Sequence, residues 1–244
     1  FEPDLLSLVK GGPEGRRHFL DAALCQLYPG YLAALRRYAR VTAQKNALLK
    51  AYEITPGADM LLETYNEAMA AYGSEVIRRR AEYLSRLAPV AAANYRDISS
   101  GAEVLQIEYR PCCDPGDGGA LAAKLRAMAP AERRAGFCLT GPHREDLEIL
   151  LDGQPGKIYG SQGQQRSAVL AMKLAEASVA GEVLGEHPVM LLDDVLSELD
   201  DARQTYLLTR IEDKQTFVTT CDSAAFARTN GKLVFVEGGR VREG

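Results

Sequence analysis

The sequence predicts an α/β domain that carries an inserted α-helical arm. Three observations support this. Residues 13–100 are rich in Ala, Leu, Arg, Tyr and Glu, whereas after Gly101 short apolar runs alternate with segments of helical spacing. One of those runs, Pro188-Val-Met-Leu-Leu-Asp193, is apolar throughout and ends in acid, the pattern of a central parallel strand buried on both faces.

Taken in order, Pro29-Gly30 and Pro56-Gly57 punctuate separate helices in the first part. Tyr31 to Tyr52 and Met60 to Leu87 are predicted helices, each longer than the globular average. In the second, Leu62, Tyr65, Met69, Tyr72, Val76 and Tyr83 step by three, four and seven, the seam of a helix lying along a partner. Gly73 inside that seam predicts a local kink. The arm is therefore expected to fold back on itself, with its tyrosines in the core rather than free to stack on bases.

Beyond Gly101, Val104 to Tyr109 alternates with period two and predicts a half-buried strand. Cys112 to Gly119 reads as a turn region, Ala120 to Met128 as a helix, and Phe137 to Thr140 and Leu147 to Leu151 as short strands. Asp152-Gly153 marks a tight turn, and Gln164 to Val179 has helical spacing. Gln204 to Ile211 (helix), Thr216 to Thr220 and Leu233 to Val236 (strands) complete the layer.

Composition narrows the function class. The 244 residues are 46% apolar and 25% charged, close to a soluble globular average. Lys and Arg number 29 against 33 Asp and Glu, a net charge of −4, so a nucleic-acid partner would need a local basic patch. No apolar run approaches the roughly 18–20 residues of a membrane span, and Phe1-Glu2-Pro3-Asp4 lacks the start of a signal peptide. The expected location is cytoplasmic. Five cysteines without a C-x-x-C spacing are expected to be reduced thiols. The sequence opens without a Met, as if inside an element.

Two motifs point to chemistry. Ser161-Gln162-Gly163-Gln164-Gln165-Arg166 is a polar, Gly-containing turn opening into the predicted helix. A helix N-terminus offers free N–H groups and a positive partial charge to a phosphate, while Ser161 could equally serve only as an N-cap. The second is the apolar strand ending in Asp193-Asp194, followed by Ser197-Glu-Leu-Asp200. Carboxylates at the carboxyl end of such a strand stand where open α/β sheets bind ligands. Mg²⁺ favours carboxylate, water and phosphate oxygens, which suits Asp193, and a neighbouring carboxylate such as Asp194 can orient or deprotonate water.

Basic clusters at Arg36-Arg37-Tyr38-x-Arg40 with Lys45 and Lys50, and at Arg78-Arg79-Arg80 with Arg86, could track phosphates or merely solvate a helix face. His143 and Arg144 in Gly141-Pro142-His143-Arg144 could bind phosphate or DNA, or form a structural turn.

The order Ser161-Gln-Gly-Gln-Gln, helix, Leu191-Leu-Asp193-Asp194, then Ser197-Glu-Leu-Asp200 resembles the signature motif, Walker B and D-loop of ABC/SMC-type ATPases. Further blocks resemble the RecF family among them: Pro3 to Pro13, Arg16-Arg17-x-Phe19-Leu20-Asp21, and Gly141-Pro142-His143-Arg144-x-Asp146. The resemblance runs from residue 3 to the final strands. It implies an ABC/SMC-type head, a P-loop NTPase fold, with residues 1–12 ending an N-terminal lobe, 13–100 forming the arm and 101–244 the C-terminal lobe.

The same resemblance implies ATP and Mg²⁺ as cofactors. Asp193 would hold Mg²⁺ through water, and Asp194 would stand where most relatives place a catalytic Glu, one methylene shorter and suited to slow hydrolysis. Ser161, Gln162, Gly163 and Gln164 would meet the ATP held by the opposite subunit of a homodimer, Asp200 with Ser197 would form the D-loop, and Thr220 would sense the γ-phosphate. The implied role is DNA repair and replication: dimerisation on gapped or junction DNA, slow hydrolysis for release, recombinase loading with RecR and RecO, and SOS induction. No G-x-x-x-x-G-K-[ST] loop occurs, so the chain is expected to be a fragment that does not hydrolyse ATP alone. The alternatives are a non-enzymatic DNA-binding or scaffold module and another ABC-type ATPase subunit.

Overall fold

A computed structural model describes residues 6–212, 214–221 and 231–243. They form two compact units, one of residues 6–187 and one of residues 188–243. Residues 6–187 form one unit because the long arm helix packs along a helix of the following α/β segment.

The first unit begins with α1 (Ser7–Lys10), α2 (Pro13–Leu27), α3 (Tyr31–Lys50) and α4 (Ala58–Ile98). Gly30 and Gly57 turn the chain before α3 and α4. The two helices form the expected hairpin, with Leu62, Met69, Val76 and Tyr83 of the seam buried and Tyr65 and Tyr72 half-buried. Tyr31, Tyr38, Tyr83 and Tyr95 are core residues.

Gly73 does not end a helix segment: α4 runs unbroken for 41 residues. A Cβ at Gly73 would lie 2.7 Å from Leu121 Cδ2 and 3.0 Å from Tyr38 Cε2, so the glycine seats two core side chains. Pro89 does not stop α4 either. It is exposed, so the carbonyl deprived of its partner faces water, while Leu87, Ala91 and Tyr95 hold the buried face.

Next come β1 (Leu105–Arg110), α5 (Ala120–Ala135), β2 (Asp146–Leu151), β3 (Gln154–Pro155), α6 (Gly156–Tyr159) and α7 (Gln162–Leu184). The strands form one antiparallel sheet in the order β1-β2-β3, with Ile107 opposite Ile149. The helix expected to end at Met128 continues through exposed Pro130 to Ala135. The strand expected at Phe137 to Thr140 is absent because side chains take its amides: Cys138 N donates to Asn46 Oδ1 at 2.7 Å and Leu139 N to Glu132 Oε1 at 2.7 Å. Glu132 is itself fully buried in an ion pair with Lys45, 2.6 Å apart.

The second unit contains β4 (Met190–Asp193), α8 (Asp201–Ile211), β5 (Thr216–Thr219), β6 (Val234–Glu237) and β7 (Arg240–Glu243). β4 pairs in parallel with β5, and β6 with β7 forms an antiparallel hairpin. The expectation that β4 is covered on both faces is corrected: Met190 and Leu192 are buried, but Leu191 is 63% exposed beside Phe217 at 58%. Among the described residues no helix is long and apolar enough to cross a membrane.

A buried ionic network ties the first unit together. Arg80, at 2% exposure, donates to Asp21 Oδ1 and Oδ2 at 3.0 and 2.9 Å, to Pro142 O at 2.8 Å and to Glu145 Oε2 at 3.1 Å. Glu145, equally buried, also accepts from Tyr109 Oη and, at 2.9 Å, from the Cys112 amide. Burial and then the Glu145 charge hold the Tyr109 phenol well above its ordinary pKa, so it stays a donor. Arg16 clamps Asp146 with two bonds of 2.7 and 2.8 Å.

Removing one partner strands buried charge, which typically costs about 3–5 kcal/mol. Arg80→Leu is expected to lower the unfolding free energy by about that much in urea titration, whereas a loss below about 1 kcal/mol would show that the network is not fully desolvated.

Candidate functional site

α7 forms because Val169, Leu170, Met172 and Leu174 bury its middle, and it starts where Ser161 caps it. Ser161 Oγ accepts from Gln164 N at 3.2 Å, and Gln164 Oε1 accepts from Ser161 N at 2.8 Å, a reciprocal capping box. Of the two readings of Ser161, the cap is therefore present. It leaves the hydroxyl proton uncommitted, and Gln162 and Gly163, as the first two helical residues, keep amides that no intrahelical acceptor can reach. Ser161 and Gln162 are exposed, while Gly163 and Gln164 are half-buried.

Gln165, at 3% exposure, donates to Gly156 O at 2.9 Å and Gly160 O at 3.0 Å, fixing the approach to this turn. The resulting arrangement can receive an anion at exposed amides with a hydroxyl beside them.

In the second unit, Asp193 and Asp194 stand at the carboxyl end of β4. Asp193 pairs across the ladder with Thr219, and Thr219 Oγ1 donates to Asp193 Oδ1 at 2.5 Å. Asp194 takes a left-handed φ of 48°, tolerable for Asp but mildly strained. It is held there by its amide, which lies 3.1 Å from both Thr219 O and Thr219 Oγ1, and by its carbonyl, which accepts from Ser197 Oγ at 2.8 Å. Asp194 Oδ1 is buried and has no hydrogen-bond partner among the described residues. An orphaned carboxylate oxygen beside an exposed one suits a hydrated divalent cation, so these residues fit Mg²⁺.

Asp200 caps α8, accepting from Arg203 N at 3.0 Å and pairing with the Arg203 guanidinium. The Thr219 hydroxyl meets both aspartates, donating to Asp193 Oδ1 and lying within reach of the Asp194 amide. The sequence contained the signal: in a parallel pair, the residue level with Asp193 ends the next strand.

The Gly-Pro-His-Arg block is a structural turn. Gly141 has a φ of +130°, and a Cβ there would lie 2.2 Å from Tyr38 Oη. His143 Nδ1 meets that hydroxyl at 2.5 Å, and Arg144 donates to Cys138 O and covers Phe137. Of the basic clusters, Arg78 and Arg79 pair with Glu75 and Glu82, Arg80 is buried, and Lys45 is neutralised by Glu132. For Arg78 and Arg79 the structure agrees with the solvated-face alternative, their charges matched by Glu75 and Glu82. Arg36, Arg40 and Lys50 are exposed on α3 and make no ion pair among the described residues.

No family model matches the chain. It is 41% identical over 249 residues to the DNA replication and repair protein RecF of Synechococcus sp. (strain JA-2-3B'a(2-13)), covering 97% of this chain and 66% of that protein. It is 43% identical over 249 residues to the RecF of Nostoc punctiforme, covering 97% and 67%. The chain belongs to the RecF family. It spans about two thirds of the length of these RecF relatives.

Among solved structures, the recombination mediator protein RecF-ATPrS in the RecFOR pathway superposes with a TM-score of 0.87 at 33% identity, over 100% of this chain and 66% of that one. An Smc head domain with an extended coiled coil from Pyrococcus furiosus, 16% identical, gives 0.53 over 99% of this chain and 60% of that one, and shares the fold. The RecF fold is thus the ABC/SMC-type α/β head with a helical arm.

Burial, reinforced by the Arg144 and Arg17 charges, holds His143 down at about 4, so it folds neutral. The unfolded chain, with an ordinary pKa near 6.5, binds the extra proton, and stability falls as pH drops from about 6.5 to about 4, by up to about 3 kcal/mol. Urea titrations of wild type and His143→Gln should diverge across that window, and parallel pH profiles would contradict the assignment.

Proposed function

We propose that this chain is the arm and signature-bearing portion of a RecF-type DNA replication and repair ATPase. The observation that carries the reading is Asp193-Asp194 at the end of β4, one carboxylate tied to Thr219 and the other with a buried oxygen that has no partner among the described residues. The likeness to RecF-ATPrS supports ATP as the nucleotide.

Each residue has a derivable task. Asp193 holds the Mg²⁺ hydration shell. A bound Mg²⁺ supplies charge neutralisation at the phosphates. Asp194 orients the attacking water and accepts its proton, and the Thr219 and Ser197 contacts fix its backbone for that. Ser161 Oγ and the Gln162 and Gly163 amides receive the γ-phosphate of nucleotide held by a second copy, with Gln164 holding that turn in shape. Asp200 and Ser197 shape the crossing loop, and Thr220, next to the Thr219 that bonds Asp193, senses the γ-phosphate.

Two copies thereby close on ATP around DNA and release it after slow hydrolysis. DNA backbone contact falls to Arg36, Arg40 and Lys50, exposed cations with no ion pair among the described residues, since the net charge of −4 offers no general attraction. Gapped or junction DNA, RecR and RecO as partners and a cytoplasmic location complete the reading.

In the full-length gene product, Asp194→Asn should leave ATP-dependent dimerisation and DNA retention intact while slowing hydrolysis by about 10²–10⁴-fold. Ser161→Arg should abolish dimerisation without reducing ATP binding by the monomer. Light scattering, filter binding and phosphate release read these outcomes. An unchanged hydrolysis rate removes Asp194 from its role, and normal dimerisation of Ser161→Arg removes the contact in trans.

A further inference from the structure

The capping box at Ser161 does not stand alone. Gln164 uses Oε1 for the Ser161 amide, and its Nε2 donates to Glu103 Oε1 at 3.0 Å. Glu103 lies in the short connection between α4 and β1 and is half-buried. Its other oxygen, Oε2, accepts from Tyr95 Oη at 2.6 Å. Tyr95 is fully buried in the last turn of α4. About two turns further along α7, the neighbouring Asn94 donates to Ala171 O at 3.2 Å, a second tie between the same two helices.

The chemistry of Glu103 decides which way the Gln164 amide faces. An ionised carboxylate only accepts hydrogen bonds, so the NH₂ end of Gln164 must point to Glu103 and the oxygen end to the Ser161 amide. With the amide reversed, two acceptors would face each other at Glu103 and two donors at Ser161. Ser161 N–H is thereby consumed inside the cap, and the groups left for a phosphate are the Ser161 hydroxyl proton and the Gln162 and Gly163 amides.

We infer that Glu103 is a positioning residue for the nucleotide contact in trans, relaying the end of the arm helix, through Tyr95, to the Gln164 amide and hence to Ser161. This deepens the proposed function and rests on it. It also gives the arm a physical route to that contact: a shift of the last turn of α4 moves Tyr95, and the carboxylate and the amide follow. Glu103 touches no substrate and acts only through Gln164.

Two readouts separate this inference from the reading beneath it. Hydrogen exchange on the chain without nucleotide reports the relay. Glu103→Ala should speed exchange at Ser161 and Gln164 by at least about tenfold while the middle of α7 keeps its protection. Glu103→Gln should restore protection, because its oxygen can accept from Gln164 while its amide donates to the Tyr95 oxygen.

In the full-length gene product, Glu103→Ala should weaken ATP-dependent dimerisation by about tenfold or more, a loss of one lever of Gln164 orientation, and Glu103→Gln should recover it. Tyr95→Phe, which keeps the packing, should fall between. Unchanged exchange in Glu103→Ala overturns the relay whatever the nucleotide does. Faster exchange with undiminished dimerisation overturns the positioning role. If the wild type itself fails to dimerise on ATP, it is the proposed function that fails, and the exchange result still decides the relay.

Discussion

The structure of the first unit depends on a guanidinium that has been taken out of water. Arg80 sits halfway along α4, and only the convergence of Asp21 from α2, Glu145 and the Pro142 carbonyl makes its burial tolerable. Those partners come from two stretches of chain far apart in sequence. Satisfying one charge therefore fixes the arm helix against α2, the Gly-Pro-His-Arg turn and, through Tyr109, the β1 strand. Fifteen residues later along the same rigid helix, about 22 Å, Tyr95 arrives at Glu103. The arm's placement and the shape of the turn at Ser161 are set by the two halves of one helix.

The two candidate sites use different devices for a common need, polar groups held ready without side-chain freedom. At Ser161 the device is hydrogen-bond exhaustion: the capping box and Glu103 use up Gln164, leaving only the outward-facing donors. At Asp194 it is backbone strain retained by neighbours, with Thr219 and Ser197 holding a residue at φ 48° and one buried oxygen left without a partner among the described residues. Unsatisfied buried oxygens are costly and persist where a ligand completes them.

Much of this was legible in the sequence. The seam of α4, the strand at 104–109 and the acidic end of β4 follow from periodicity, and Ser161 ahead of an apolar helix is a local signal. What was not legible depended on partners far along the chain. Phe137 to Thr140 has strand-like residues, but Asn46 and Glu132 claim its amides. Gly73 reads as a weakness in a helix until Leu121 and Tyr38 are seen lying on it. Pro89 and Pro130 read as stops, yet each sits on an exposed face where water can replace the lost bond. Apolar residues on both faces of β4 describe what could cover the strand, and here Leu191 is open. Arg78, Arg79 and Arg80 look alike in sequence, although two are surface partners of glutamates and one is the buried hub. The tie between Thr219 and Asp193 was not legible because strand register, not motif, sets which side chain lies level with the aspartate.

The central claim is that a working site is shared between two copies, Asp193 and Asp194 from one and the Ser161 turn from the other. Complementation tests it most directly. Full-length Ser161→Arg and Asp194→Asn proteins are each inactive on this account, but a mixed dimer contains one site with both intact halves. Mixing them should recover hydrolysis that neither variant shows alone, since a mixed dimer joins an intact Asp194 to an intact Ser161 at one of its two sites. A mixture no more active than the two variants measured separately would contradict the division of the site.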